Sequence, residues 1–262
     1  MDHNEVGKYW NGNAEAWTTI ARAGFDIYRD YLNTPAFFSM LPDVNELSGI
    51  DIGCGEGYNT RLLCEKGATM TAIDISEIFI QKAIEEELQD PLNINYQVAS
   101  AVDLPFENNQ FDFATSFMCM MDVPEMEKAL AEAFRVMRPE AFFQFSITHP
   151  CFDTPFRRNK RDAFGKTYAI EVGGYFQSIN GQVDEWIFGA APAHLKNSLP
   201  KFKTPKFSRT LSHWINALTE TGFVIENCNE PYPSDETVKL QPRLQDSQQV
   251  AYFLHIRCRK PF

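Results

Sequence analysis

The run Ser48-Gly49-Ile50-Asp51-Ile52-Gly53-Cys54-Gly55-Glu56-Gly57 constrains this chain more than any other stretch. A short apolar segment with the look of a buried strand breaks into alternating glycines. A helical pattern then runs from Tyr58 to Lys66 and stops at Gly67. Such a glycine turn lets backbone approach a ligand with no side chain between them, and the free N–H groups of the helix start face that ligand. Asp74 ends the next apolar run, 21 residues after Gly53 (74 − 53). In a doubly wound sheet this spacing sets a carboxylate beside the ribose of a bound nucleotide. A dinucleotide site requires a third glycine at position 58, where Tyr58 stands, so the pattern here is G-x-G-x-G. Asp51, two residues before the first glycine, repels a pyrophosphate and suits a ligand carrying an ammonium group.

Alternation of strand and helix patterns continues around this motif. Residues 8–40 read as helical, with Gly24 weakening the middle and Pro35 interrupting the end. Ser76 is placed to cap a helix carrying Phe79, Ile80, Ala83, Ile84 and Leu88. Residues 94–98 and 110–117 read as strands, Pro124 opens a further helix, and 141–148 is a fifth strand. Strands separated by helices of this length imply crossovers and a parallel sheet. Residues 151–207 break the rhythm and carry one hairpin signal, Tyr175–Ile179 and Gln182–Trp186 around Asn180-Gly181. A helix over 210–220 and strands over 223–228 and 250–258 close the chain. The expected fold is α/β: a doubly wound, seven-stranded, mostly parallel Rossmann-like sheet in one domain over 1–262. An N-terminal helical segment covers 1–46, a cofactor-binding core 47–150, an inserted lid 151–209, and a C-terminal part 210–262.

Composition narrows the function. Lys and Arg number 24 against 35 Asp and Glu, a net charge of −11, which argues against a protein that coats DNA or RNA. No apolar run approaches the ~20 residues of a membrane span, and the start MDHNEVGKYW lacks a signal-peptide pattern. The 6 cysteines are scattered without a C-x-x-C, which fits reduced thiols in the cytoplasm and no metal site. Residues 154–210, however, hold ten basic and four acidic side chains. A basic lid of this kind could steer an anionic acceptor; a solvated basic loop is the alternative.

IDIGCGEG (50–57), AIDIS (72–76), DLPFENNQFDFATS (103–116) and ALAEAFRVMRPE (129–140), in this order, resemble the class I S-adenosylmethionine-dependent methyltransferases, in particular the UbiE-like small-molecule, type 11 group. The resemblance implies S-adenosylmethionine as cofactor, with S-adenosylhomocysteine as product. It implies that Gly53, Cys54, Gly55 and Gly57 hold the methionine end, with Asp51 as an anchor. It also implies that Asp74 takes the ribose hydroxyls, Ile75 packs on the adenine, Ser100, Ala101, Val102 and Asp103 border the adenine, and Phe117 and Met118 lie near the sulfur. Two departures stand out. Ser100 occupies a position that is often acidic, and Pro139-Glu140-Ala141 replaces Pro-Gly-Gly, so a positive φ at that turn falls on Glu140.

Methyl transfer from a sulfonium is an in-line displacement with a neutral leaving group, so it demands alignment and water exclusion more than acid catalysis. The acceptor is expected to be a small molecule, aromatic or anionic. His149, at the end of the fifth strand, is the candidate general base or acceptor-binding group, with a structural histidine before Pro150 as the alternative. Tyr28, Tyr175 and Trp186 are further acceptor-binding candidates, and Arg29 is placed to reach the cofactor carboxylate. A non-catalytic scaffold of this fold and a macromolecular methyltransferase remain the competing functions.

Overall fold

The computed structural model describes residues 1–262. Seven strands form one sheet: β1 (Ser48–Ile52), β2 (Thr69–Asp74), β3 (Asn95–Val98), β4 (Phe111–Phe117), β5 (Met137–Thr148), β10 (Val224–Asn229) and β11 (Phe253–Arg259). Their order is β10-β11-β5-β4-β1-β2-β3. Only β11 runs against its neighbours, pairing antiparallel with both β5 and β10. The strand order reverses between β1 and β4, and a ligand crevice opens at such a switch point, beyond the carboxyl ends of the strands.

Alternation along the strands divides the core in two. On one face Ile50, Ile52, Ala114, Phe143 and Phe145 pack beneath α5 (Met126–Val136) and α7 (Leu211–Thr221), which contribute Leu130, Trp214 and Leu218. On the other, Met70, Ala72, Phe113 and Phe142 meet α3 (Tyr58–Glu65) and α4 (Glu77–Gln89) through Leu63, Ile80 and Ala83. Each such side chain, once fully buried, contributes ~1.5–3 kcal/mol, and it is this burial that fixes the sheet register. The Ser76 hydroxyl accepts from the Phe79 N–H at 3.2 Å, capping α4 as its sequence position implies.

The N-terminal segment is two helical pieces rather than one. α1 (His3–Arg22) starts at a capping box, in which Asp2 and Glu5 serve each other's backbone N–H groups, and it ends before Gly24. A five-residue π-helical turn (Arg29–Asn33) then leads into α2 (Thr34–Met40). Pro35 does not end the helical run; the irregularity expected there is the π-helical turn just before it, after which α2 continues.

The insertion folds differently from the expected hairpin. β6 (Phe156–Arg161) pairs with β7 (Thr167–Gly173), and β8 (Asn180–Trp186) pairs with β9 (Phe202–Phe207) across the short α6 (Ala193–Ser198). Tyr175–Ile179 is not a strand. The positive φ of Gly181 (85°) serves a bulge in β8 rather than a two-residue turn. Strand β9 is hard to see in the sequence because Pro205 interrupts its donors, as an edge strand tolerates. After β10, α8 (Asp235–Leu240) and a 3-10 segment (Pro242–Gln248) cover the π-helical turn, with Leu244 packed on Leu32.

Glu140 adopts the positive φ that its sequence position demands (68°), at the bulge where β5 slips relative to β4. Its N–H donates to the Lys260 carbonyl, so the backbone holds the conformation and the side chain stays exposed. A left-handed conformation costs a non-glycine residue ~1–2 kcal/mol, and 1 kcal/mol moves the melting temperature of a chain this size by ~2–4 °C. After the extra unfolded-state entropy of glycine is deducted, Glu140→Gly is expected to raise the midpoint of thermal unfolding by about 2 °C. A fall in the midpoint would show that the Glu140 side chain contributes more than the strain costs.

Candidate active site

The carboxyl ends of β1, β2 and β4 open into a cavity of about 1070 Å³. Its floor is the glycine loop, and α1 and the insertion close it from above with Trp10, Trp17, Trp186 and Tyr175.

Two aspartates organise the floor. The Asp74 carboxylate accepts from the Gly55 N–H at 2.9 Å and from the Ser76 N–H at 2.8 Å, so the second strand pins the glycine loop directly. Asp51 accepts from the Thr60 hydroxyl at 2.6 Å and the Thr115 hydroxyl at 2.9 Å; Thr115 lies beside it because β1 and β4 pair in that register. Burial pushes both carboxyls up to about 6 against these hydrogen bonds. Both oxygens of Asp74 keep a free lone pair for a ligand. Gly53 (φ 78°) lies against Cys119, whose Sγ would be 2.2 Å from an added Cβ, whereas a Cβ on Gly55 (φ 56°) would meet open space. Burial drives the Cys54 and Cys119 thiols well up, so neither is a thiolate nucleophile.

Arg29 lies over the Tyr58 ring at 3.9 Å and donates to Glu56 Oε1 (3.1 Å) and Asp30 Oδ1 (2.7 Å). Glu56, inside the glycine loop, also takes Arg22 Nε at 3.0 Å. The π-helical turn and α1 are thereby tied to the loop by ion pairs.

Of the residues singled out from sequence, Asp51, Gly53, Cys54, Gly55, Asp74, Ile75, Ser100, Ala101, Phe117, Met118, Tyr28, Arg29, Tyr175 and Trp186 all line this cavity. Gly57, Val102, Asp103 and His149 do not. Gly57 is the left-handed residue preceding α3, packed against the Tyr96 hydroxyl. Asp103 bridges back to Ser100 and faces solvent, while Val102 packs toward the core. His149 is the larger correction. Thr148 and Pro150 line the cavity, whereas the buried His149 between them is engaged away from it. There Nε2 meets Glu230 Oε1 at 2.7 Å and Nδ1 accepts from the Cys151 N–H at 3.2 Å. Both ring nitrogens are engaged within the protein, the arrangement that the structural alternative expects.

The basic lid is corrected too. Of its ten basic side chains only Lys206 and Arg209 reach the cavity. Lys206 is paired with Asp184 (3.1 Å) and Asp153 (3.6 Å), and Arg209 donates to the carbonyls of Met121 and Pro124, each at 3.0 Å. Sequence reasoning missed Asp122 and Asp153 on the same wall. Asp122 is the lone charge in the run Phe117-Met118-Cys119-Met120-Met121-Asp122-Val123-Pro124, which is the signal that could have found it.

Residues 50–145 match a family described as "Methyltransferase domain". Over 115 residues the chain is 32% identical to the "Ubiquinone/menaquinone biosynthesis C-methyltransferase UbiE" of Rickettsia bellii, covering 41% of this chain and 46% of that protein. Over 156 residues it is 31% identical to the "Ubiquinone biosynthesis O-methyltransferase" of Pseudomonas fluorescens, covering 57% of this chain and 66% of the relative. The chain thus spans about half the length of the first of these curated relatives. A solved S-adenosylmethionine-dependent methyltransferase from Mesorhizobium loti superposes with a TM-score of 0.69 at 26% identity, over 86% of this chain and 96% of that one.

Proposed function

We propose that this chain, which belongs to the class I S-adenosylmethionine-dependent methyltransferases and takes S-adenosylmethionine as its cofactor, methylates a small-molecule acceptor inside the cavity. The observation that carries the reading is the pairing of Asp74 with the Gly55 N–H at the cavity floor. It leaves a glycine cradle with open space above Gly55 and two carboxylates at adjacent strand ends. These residues fit the cofactor: a Cβ at Gly55 would fill the cradle, Asp74 has acceptor capacity left for ribose hydroxyls, and Asp51 suits an ammonium group.

The cofactor supplies an electrophilic methyl on a sulfonium, which leaves as part of a neutral thioether. The chain's contribution is position and dryness. Gly53 and Gly55 set the close approach, and Ile75, Ala101 and Phe117 provide apolar wall for the adenine and sulfur regions. Aromatic groups from α1 and the insertion exclude water above. Enclosure by these elements favours a small acceptor over a macromolecule, and residues 151–209 act as the lid. No helix is long and apolar enough to cross a membrane. Six free cysteines fit a reducing compartment, and we place the protein in the cytoplasm.

Incubation with S-adenosylmethionine and a panel of small acceptors, read as S-adenosylhomocysteine release, is expected to give turnover well above the acceptor-free background. Binding of the cofactor with no release across amines, phenols, carboxylates and thiols would favour the scaffold reading instead.

A further inference from the structure

The cavity continues past the cofactor cradle to a wall that the reading above leaves unassigned, formed by the 3-10 turn Met120–Asp122, the loop after β5 and strand β9. Four carboxylates line it (Asp122, Asp153, Asp184, Glu185) against two cations, Lys206 and Arg209. Both cations are already committed, Lys206 to Asp153 and Asp184, Arg209 to backbone carbonyls. Asp122 differs from its neighbours: partly buried in the wall, its carboxylate has no hydrogen-bond or ion-pair partner in the protein, and burial together with the charges around it acts on the carboxyl. A carboxylate lining the cavity with no protein partner is free to accept from a ligand that brings a donor.

We propose that this site takes a protonated amine as methyl acceptor and that Asp122 is the group that holds it and removes its proton. The inference rests on the methyltransferase reading. Asp122 accepts one N–H proton from the ammonium and becomes a carboxylic acid, and the freed nitrogen lone pair forms the new N–C bond. The S–C bond breaks with its electron pair retained on sulfur, and the proton on Asp122 returns to solvent after product leaves. Charge and shape agree with a cation. The lid's remaining basic groups lie off the cavity, and Trp17, Trp186 and Tyr175 line it with aromatic side chains, a residue type that organic ammonium groups favour.

The state of Asp122 fits this role. Burial, with the like charge of Asp153, pushes its carboxyl up to about 8, while Arg209 and Lys206 pull it down. Cys119, on the same turn, is pushed up in its own right and stays a neutral thiol. Of the acids on α5, Glu127 is turned to His213 and Glu125 to His3 of α1. A group with its midpoint near 8 is matched to proton transfer near neutral pH. Below that midpoint Asp122 is neutral in the free protein; arrival of an ammonium favours its ionised form, so binding there releases a proton.

The test titrates three ligands of one ring system, tryptamine, tryptophol and indole-3-acetate, into the protein with and without S-adenosylhomocysteine. Calorimetry in two buffers of different ionisation enthalpy counts protons. Tryptamine is expected to bind at least about tenfold more tightly than either analogue, and to release a proton at about pH 7 but not at about pH 9. Asp122→Asn is expected to abolish both the preference and the proton release while S-adenosylhomocysteine affinity stays. Should that variant fail to fold, the wild-type protein alone decides, since tryptamine affinity must tighten from about pH 7 to about pH 9. Equal affinity for tryptamine and indole-3-acetate, or a preference that survives in Asp122→Asn, overturns the proposal. Loss of S-adenosylhomocysteine binding would instead fall on the methyltransferase reading, because the amine titrations are also run without it.

Discussion

Replacing Asp74 by alanine is expected to raise the dissociation constant for S-adenosylmethionine by about 100-fold or more. A charge-assisted hydrogen bond contributes ~1.5–3 kcal/mol, and a carboxylate that takes both ribose hydroxyls makes two of them. The same substitution frees the Gly55 N–H, which Asp74 holds at 2.9 Å, and lets the cradle relax before any ligand arrives. Stability of the empty protein should move far less. Burial already disfavours the ionised Asp74, pushing its carboxyl up to about 6, so its removal relieves a cost as well as deleting two backbone bonds. Ser76 keeps its own cap on α4. Calorimetric affinity and thermal unfolding measured on the same variant therefore separate. A large fall in melting temperature with unchanged affinity would make Asp74 a folding residue.

Gly53 and Gly55 should divide in the opposite sense, although both have positive φ and lie two residues apart. At Gly53 an added methyl would stand 2.2 Å from Cys119 Sγ and 2.4 Å from its Cβ, so the turn after β4 has to move. Left-handed strain and overpacking together amount to ~2–5 kcal/mol, which lowers the melting temperature by ~5–15 °C for Gly53→Ala. At Gly55 the methyl meets no protein atom within 4 Å, and only the strain remains, ~1–2 kcal/mol. Its methyl projects into the cradle instead, so Gly55→Ala is expected to keep most of its stability and lose cofactor affinity at least about tenfold. Equal melting temperatures for the two variants would contradict the packing described around Cys119.

The sheet and the cofactor half of the site were legible because local signals agree with tertiary ones there. Strands β1, β2, β4 and β5 are largely buried runs, α4 carries its Ser76 cap, and Gly53, Gly55 and Asp74 sit where strand ends place them. The strain at Glu140 was readable from a single departure in a turn. The acceptor half was not legible in the same way. Its strands pair across the insertion, β8 with β9 beyond α6, and no local pattern encodes a partner twenty residues away. Nothing local to His149 signals its contact with Glu230, which lies 81 residues further along the chain. Asp122 went unnoticed because a lone aspartate before Val123-Pro124 looks like turn chemistry until its surroundings are known. The basic charge of the insertion was counted correctly, but a sum of charges does not say which way Lys160, Arg161 or Lys203 points, and these pair with Glu171, Asp246 and Glu185 instead.

The central claim is that the cavity over Gly53, Gly55 and Asp74 is an S-adenosylmethionine site. Calorimetric titration of the folded protein with S-adenosylmethionine tests it most directly. The account predicts one saturable site at micromolar concentration, unaffected by an excess of NADH. No binding heat from a protein whose circular dichroism shows it folded, or displacement by NADH, would contradict it.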